Sequence, residues 1–123
     1  MKFFTSFIVF LLFSHIASGA HIHVGPRFQV TSIRAALLLA KDNDTITVHH
    51  SLYTEGTIVV NKSITLIGDE WPVLDGQLKY EVVSIKADHV NFSGFVIRNS
   101  GIAALNDPGG VKVYDRSNIV IEN

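Results

Sequence analysis

The chain has 123 residues, of which 47% are hydrophobic, with no cysteine and a formal net charge of −1 at neutral pH. This near-neutral balance excludes the basic surface that marks a nucleic-acid-binding domain. The lack of cysteine excludes both a disulfide framework and a thiolate metal site. The length favours one domain of modest size.

The first 20 residues have the composition of a secretory signal peptide. Lys2 precedes the apolar run Phe3–Phe13, and small residues follow at 18–20. This order is typical of a signal peptide cleaved after Ala20, with cleavage after Gly19 as the alternative. The apolar run is too short for a hydrocarbon layer about 30 Å thick. We therefore predict that residues 21–123 form an exported protein, periplasmic or secreted, that does not span a membrane.

Residues 31–41 predict an α-helix. Four apolar residues fall at helical spacing on one stripe: Ile33, Ala36, Leu37 and Ala40. Thr31 or Ser32 is expected to cap the first turn, and Lys41 to favour the negative end of the helix dipole.

The segment after this helix, Asp42-Asn43-Asp44, resembles the start of a calcium-binding loop. The glycine and glutamate ligands that should follow in such a loop are missing. We interpret the segment as a turn between helix and strand.

Three families of short apolar segments then recur in the same order. The first is SITLIG, HVNFSG and NIVIEN, starting at residues 63, 89 and 118. The second is TIVV, VVSI and GVKV, starting at 57, 82 and 110. The third is VLDG and VIRN, starting at 73 and 96. Repeats of this length indicate a solenoid in which each coil covers the next.

The repeats predict an all-β fold, a right-handed parallel β-helix of about three coils with an N-terminal capping helix. Its handedness follows from the bias of parallel crossover connections. A β-sandwich is the alternative, but its strands need not recur in a fixed order. Alternation within the strands predicts the inward-facing residues: Ile58, Val60, Ile64, Leu66, Val83, Ile85, Val90, Phe92, Val111, Val113, Ile119 and Ile121.

The first family ends in Gly68, Gly94 and Asn123, residue types that readily adopt a left-handed backbone. We predict that they form the turn between two sheets. An open end of a β-helix leaves strand edges unpaired. Because the chain stops within a coil, we expect residues 21–123 to be the N-terminal part of a domain truncated at its C-terminal end.

The same segments resemble those of a known family. HIHVG (21–25), the capping helix, DTITV (44–48), KSITLIG (62–68), PVLDG (72–76), YEVVSIKADHV (80–90) and GVKVYDRSNIVIEN (110–123) occur in that order. Together they resemble the N-terminal part of NosD proteins, periplasmic copper-binding β-helix proteins of the pectin-lyase-like superfold. The resemblance implies a non-enzymatic accessory protein that assists copper-site maturation of nitrous oxide reductase, with an ABC-type membrane transporter as a further partner.

Copper is the metal that the resemblance implies, and the predicted mature N-terminus suits copper(II). Cleavage after Ala20 would leave the sequence His21-Ile22-His23. A free amine, two backbone amides and the imidazole of His23 can then surround one square-planar copper(II) ion. The alternatives are a frayed tail and a first strand with His21 and His23 on its outer face.

Two further groups of residues give weaker signals. His49 and His50 are neighbours in a strand or its turn. In a strand their side chains point to opposite faces and cannot share one ion, so we interpret both as surface residues. Asp75 lies near Arg98 and Asn99 if VLDG stacks on VIRN, which predicts an ion pair. The alternative function is that of a carbohydrate-binding or polysaccharide-degrading β-helix. Glycoside hydrolysis needs paired acids, so in that case the catalytic residues would belong to coils missing from this chain.

Overall fold

The computed structural model describes residues 19–101 and 110–122, so the predicted signal peptide lies outside the described residues except for its last two. The elements in chain order are β1 (His21–Val24), α1 (Ile33–Leu39), β2 (Thr45–His49), β3 (Leu52–Tyr53), β4 (Ile58–Val60), β5 (Thr65–Asp69), β6 (Val73–Asp75), β7 (Val83–Ile85), β8 (Val90–Ser93), β9 (Val96–Arg98), β10 (Val111–Val113) and β11 (Ile119–Glu122).

The strands form three parallel sheets, and the chain passes through each sheet in turn. Sheet 1 has the order β1-β2-β5-β8-β11, sheet 2 has β3-β6-β9, and sheet 3 has β4-β7-β10. The chain visits the sheets in that order three times, and β1 and β11 extend sheet 1 at its two ends, giving about four turns. The predicted parallel β-helix is confirmed.

The pairing confirms the register of the predicted families. Leu66 pairs with Phe92, which pairs with Ile121. Val83 pairs with both Ile58 and Val111. Like positions of successive coils therefore stack into columns, and these columns form the hydrophobic core.

Most of the residues predicted to face inward are buried. The first eight, from Ile58 to Phe92, are at most 3% exposed. In the last coil the expected burial is wrong, because Val113 and Ile121 are 38% and 46% exposed. Val111 and Ile119 are partly buried against the core. No described strand stacks on β10 and β11, so their apolar side chains lack a covering layer.

The first coil, β2 to β4, was only partly predicted, because β4 belongs to the second family whereas β2 and β3 belong to none of the three. Ile46 pairs with Leu66 and Leu66 with Phe92, so the first coil is 20 residues long and the second is 26. The shorter coil conceals the repeat in the sequence. Stacking depends on the register of the strands, whereas the loops between them absorb the difference in length.

Helix α1 caps one end of the core, as predicted, but is shorter than residues 31–41. Ser32 is the N-cap, and its side chain accepts a hydrogen bond of 3.0 Å from the Ala35 amide. Ile33, Ala36 and Leu37 form its buried face. The carboxylate of Glu55 accepts the free amides of Ile33 and Arg34 at 2.9 and 3.0 Å, satisfying two further donors of the first turn.

The predicted role of Lys41 at the helix C-terminus is wrong. Ala40 is already extended, so Lys41 lies beyond the last turn. Lys62, from the next coil, donates from Nζ to the carbonyl oxygens of Leu37, Leu38 and Ala40 at 2.7, 3.3 and 2.6 Å. A lysine distant in sequence thus satisfies the carbonyls that the helix leaves free.

Gly68 and Gly94 have different reasons to be glycine. Gly94 has φ of +85°, which confirms its predicted left-handed conformation. For Gly68 the prediction is wrong, since it lies within β5 and a Cβ there would sit 2.2 Å from the Gly94 carbonyl oxygen. Close stacking of two coils excludes a side chain at Gly68. Asn123 lies outside the described residues.

We expect Leu66→Ala to lower the free energy of unfolding by about 2–5 kcal/mol, because Leu66 is fully buried in the column. Urea denaturation followed by circular dichroism measures the change. The matched control is Ile67→Ala in the same strand, on the outer face and 36% exposed. Its loss should stay below about 1 kcal/mol. Equal losses in the two variants would contradict the inward and outward faces described here.

Candidate functional site

The edge strand β1 carries two exposed histidines on one face. His21 and His23 are two residues apart in the strand, so their side chains point the same way. Their rings stack with centroids 4.5 Å apart and planes 19° from parallel. The structure therefore shows the strand alternative for this segment, with both imidazoles on the outer face.

A third histidine joins them from β2. His23 pairs in register with Thr47, and His49 lies two residues further along β2, on the same face. The His23 Nδ1 and His49 Nε2 atoms are 2.9 Å apart, within hydrogen-bonding distance. His21 Nε2 lies 2.7 Å from the Thr47 hydroxyl. We call His21, His23 and His49 the histidine cluster.

Asp69 on β5 orients the ring of His49. The two residues pair in register, and His49 Nδ1 lies 3.2 Å from the Asp69 carboxylate. A carboxylate repels a nitrogen lone pair, so this contact favours the tautomer that carries a hydrogen on His49 Nδ1. In the neutral imidazole, His49 Nε2 then has a free lone pair and accepts the hydrogen of His23 Nδ1. His49 thus lies between the Asp69 carboxylate, with which it makes an ion-pair contact, and His23, with which it shares a hydrogen bond.

Phe28 closes the cluster from the loop after β1. Its ring stacks on His49 at 4.4 Å and on His23 at 5.5 Å, with both pairs of planes 15° apart. Gly25 lies beneath this stack, and a Cβ there would approach the Phe28 ring to 3.0 Å. The glycine therefore leaves room for the aromatic ring to fold back over the histidines.

Asp44 attaches the start of β1 to the first coil. Its carboxylate accepts the Ala20 amide at 2.7 Å and the Lys41 amide at 2.8 Å. These backbone bonds, that of Lys41 first, lower the pKa of Asp44 from its ordinary value. The interpretation of residues 42–44 as a turn between helix and strand is confirmed.

The predicted copper chelate of His21 and His23 stays a prediction. It would use the backbone amides of Ile22 and His23, which in the structure belong to a strand paired with β2 over all four of its residues. Chelation would compete with this pairing. Among residues 19–101 and 110–122, no group of three or more histidine, cysteine, aspartate or glutamate side chains is assembled to hold a metal ion.

The other histidines lie apart from the cluster. His50 is exposed and its Nδ1 contacts the Glu70 carbonyl oxygen at 2.7 Å, so it does not share a face with His49, as predicted. His89 is an exposed turn residue with φ of +55°. His49 lies at the surface as predicted, with its side chain 25% exposed, and it also contacts Asp69 and His23.

The ion pair predicted in sheet 2 is confirmed. Asp75 pairs in register with Arg98, and Asp75 Oδ2 lies 3.0 Å from Arg98 Nε. The Gln77 amide, then the Arg98 and Asn99 side chains, lower the pKa of Asp75. These contacts are those of a structural ion pair and favour no role for Asp75 as a catalytic acid.

Sequence reasoning missed His49, Asp69 and Phe28 as members of the site. It compared His49 with its neighbour His50 instead of with residues one coil away. His23 and His49 are 26 residues apart, the spacing between Leu66 and Phe92 in the same sheet. This shared spacing was the signal in the sequence that could have placed His49 near His23.

No protein-family model matches the chain, and neither a curated protein nor a solved structure matches it. The resemblance to NosD proteins therefore stays a prediction. Within the described part of the chain, every helix is too short or too polar to cross a bilayer.

We expect acid to remove the contribution of Asp44 to stability. Because folding lowers its pKa, that contribution is present above the unfolded value of about 3.8 and is lost as pH falls through the folded value. Asp44→Asn should therefore lower the urea midpoint near neutral pH, and its difference from the unmodified chain should shrink below pH 4.

Urea midpoints measured between about pH 7 and pH 2 give this comparison. Asp115→Asn, at an exposed position after β10, serves as the control and should leave the midpoint nearly unchanged at every pH. A difference for Asp44→Asn that persists undiminished at the acid end would refute the assignment.

Proposed function

We propose that this chain is an exported, non-enzymatic accessory protein that handles copper for the maturation of nitrous oxide reductase. The protein acts in the periplasm or outside the cell, and an ABC-type membrane transporter is its second partner. The observation that carries the proposal is the histidine cluster, three imidazoles brought together on the outer face of sheet 1.

The donors of the cluster suit the proposed cargo. Imidazole nitrogen is a favoured ligand of copper(II), and the exposed positions of His21 and His23 allow an ion to enter and leave. A rigid β-helix supports the cluster, since β1 pairs with β2 and β2 with β5. The residue types therefore fit a protein that holds copper and passes it on.

Two features favour this function over polysaccharide degradation. The carboxylate of Asp75 is engaged by Arg98 and by the Gln77 amide, which leaves it unsuited to donate or accept the proton of a glycosidic bond. Glycoside hydrolysis by a pair of acids does not call for a histidine cluster. The proposal thus accounts for the most distinctive group of side chains in the described residues.

Maturation of the reductase in cells tests the proposal. We expect nitrous oxide reductase produced together with this chain and the transporter to contain its full copper complement. The double variant His21→Ala/His23→Ala should lower the copper content several-fold, because two of the three imidazoles are removed. Copper per reductase, measured by elemental analysis and by the absorbance of the purified enzyme, gives the result.

The matched control is His50→Ala, which removes an exposed histidine that lies apart from the cluster. It should support maturation as well as the unmodified chain does. A reductase that is equally rich in copper when this chain is omitted would refute the proposed function.

A further inference from the structure

We infer that His23 Nδ1 and His49 Nε2 are two adjacent ligands of a divalent transition-metal site, of which Asp69 is the orienting carboxylate. This site belongs to the tertiary structure and differs from the N-terminal chelate, since it uses neither a free amine nor backbone amides. The inference rests on the proposed function only for the choice of copper(II) as the probe.

The distance between the two nitrogens matches a metal site. They lie 2.9 Å apart. With metal–imidazole bonds of about 2.0–2.1 Å, two such nitrogens subtend roughly 90° at the ion. That is the angle between neighbouring ligands in the tetragonal geometry that copper(II) prefers. The ion would replace the hydrogen that the two rings now share, and His23 would carry its hydrogen on Nε2 instead.

Asp69 prepares His49 for this role. Its carboxylate lies 3.2 Å from His49 Nδ1 and favours a hydrogen on that nitrogen, which leaves Nε2 free to bind. Carboxylates that hold a metal-binding histidine in this way fix its tautomer and make the bound nitrogen more basic. Asp69 is thus a positioning residue, because it acts through His49.

The surroundings hold the two rings in place. Phe28 stacks on both His23 and His49, at 5.5 and 4.4 Å, which limits rotation of either imidazole. His49 is 25% exposed and His23 is exposed, so one side of the pair is open to solvent. Water can therefore fill the remaining positions around the ion.

Copper(II) titration of the full chain tests the inference. In the full chain, residues 1–20 precede His21, so the N-terminal chelate cannot form and binding reports on the tertiary site. We expect one copper(II) ion per chain. Asp69→Asn should weaken binding by about 10–100-fold, the usual cost of losing an orienting partner. His49→Ala should weaken it at least as much.

The controls are His50→Ala and His89→Ala, which remove exposed histidines outside the cluster. Both should leave the affinity unchanged, as should His15→Ala in the N-terminal segment. Electron paramagnetic resonance of the copper(II) complex should show two coordinated imidazole nitrogens. Circular dichroism and thermal unfolding of each variant establish that the β-helix is retained.

The outcomes separate the two proposals. Equal copper affinity of the unmodified chain and of His49→Ala would overturn the inference. It would also be overturned if the folded Asp69→Asn protein bound copper undiminished and its spectrum showed a single imidazole. Binding that appears only after removal of residues 1–20 would also overturn it, in favour of the N-terminal chelate. If the unmodified chain bound copper as expected but did not support maturation of the reductase, the result would count against the proposed function alone.

Discussion

The structure depends on the parallel, in-register stacking of strands from successive coils. Each strand of sheet 1 donates to and accepts from the strand of the next coil, which fixes the position of every side chain along the axis. Because the register is fixed, apolar residues at like positions form continuous columns in the core. A shift of one residue would turn a whole column outward. This constraint explains why Gly68 has no side chain, since the backbone of the next coil lies against it.

The stacking also determines how the cap is held. Helix α1 covers the first coil with the buried face that begins at Ile33, but its two ends are satisfied by residues of the coil itself. Glu55 accepts amides at the start of the helix, and Lys62 donates to carbonyls at its end. Both side chains interact favourably with the helix dipole, because the acid lies at its positive end and the lysine at its negative end. A short helix with few stabilising residues of its own is thus held by the solenoid that it protects.

The candidate site follows from the same stacking. Strands β1, β2 and β5 are neighbours in sheet 1, so residues about one coil apart in sequence meet on its outer face. The register places His49 beside Asp69 and diagonal to His23, and Phe28 folds over them. The inner face of these strands packs the core, whereas the outer face is free to carry polar chemistry. Alternation along a strand lets one segment serve both purposes.

The sequence by itself determined the parallel β-helix, the capping helix and most of the core. Apolar alternation and the three recurring segments are local patterns, so they can be recognised in the sequence without knowing which residues are in contact. The pairing of Leu66 with Phe92 and of Asp75 with Arg98 was predictable from these patterns. The exposure of Val113 and Ile121, the capping by Lys62 and the reason for Gly68 were decided by the tertiary structure, since each depends on which backbone lies beside it. His21 and His23 were visible as a local motif. Their connection through His49 to Asp69 was not, because the first coil is shorter than the others and hides the register that brings the three strands together.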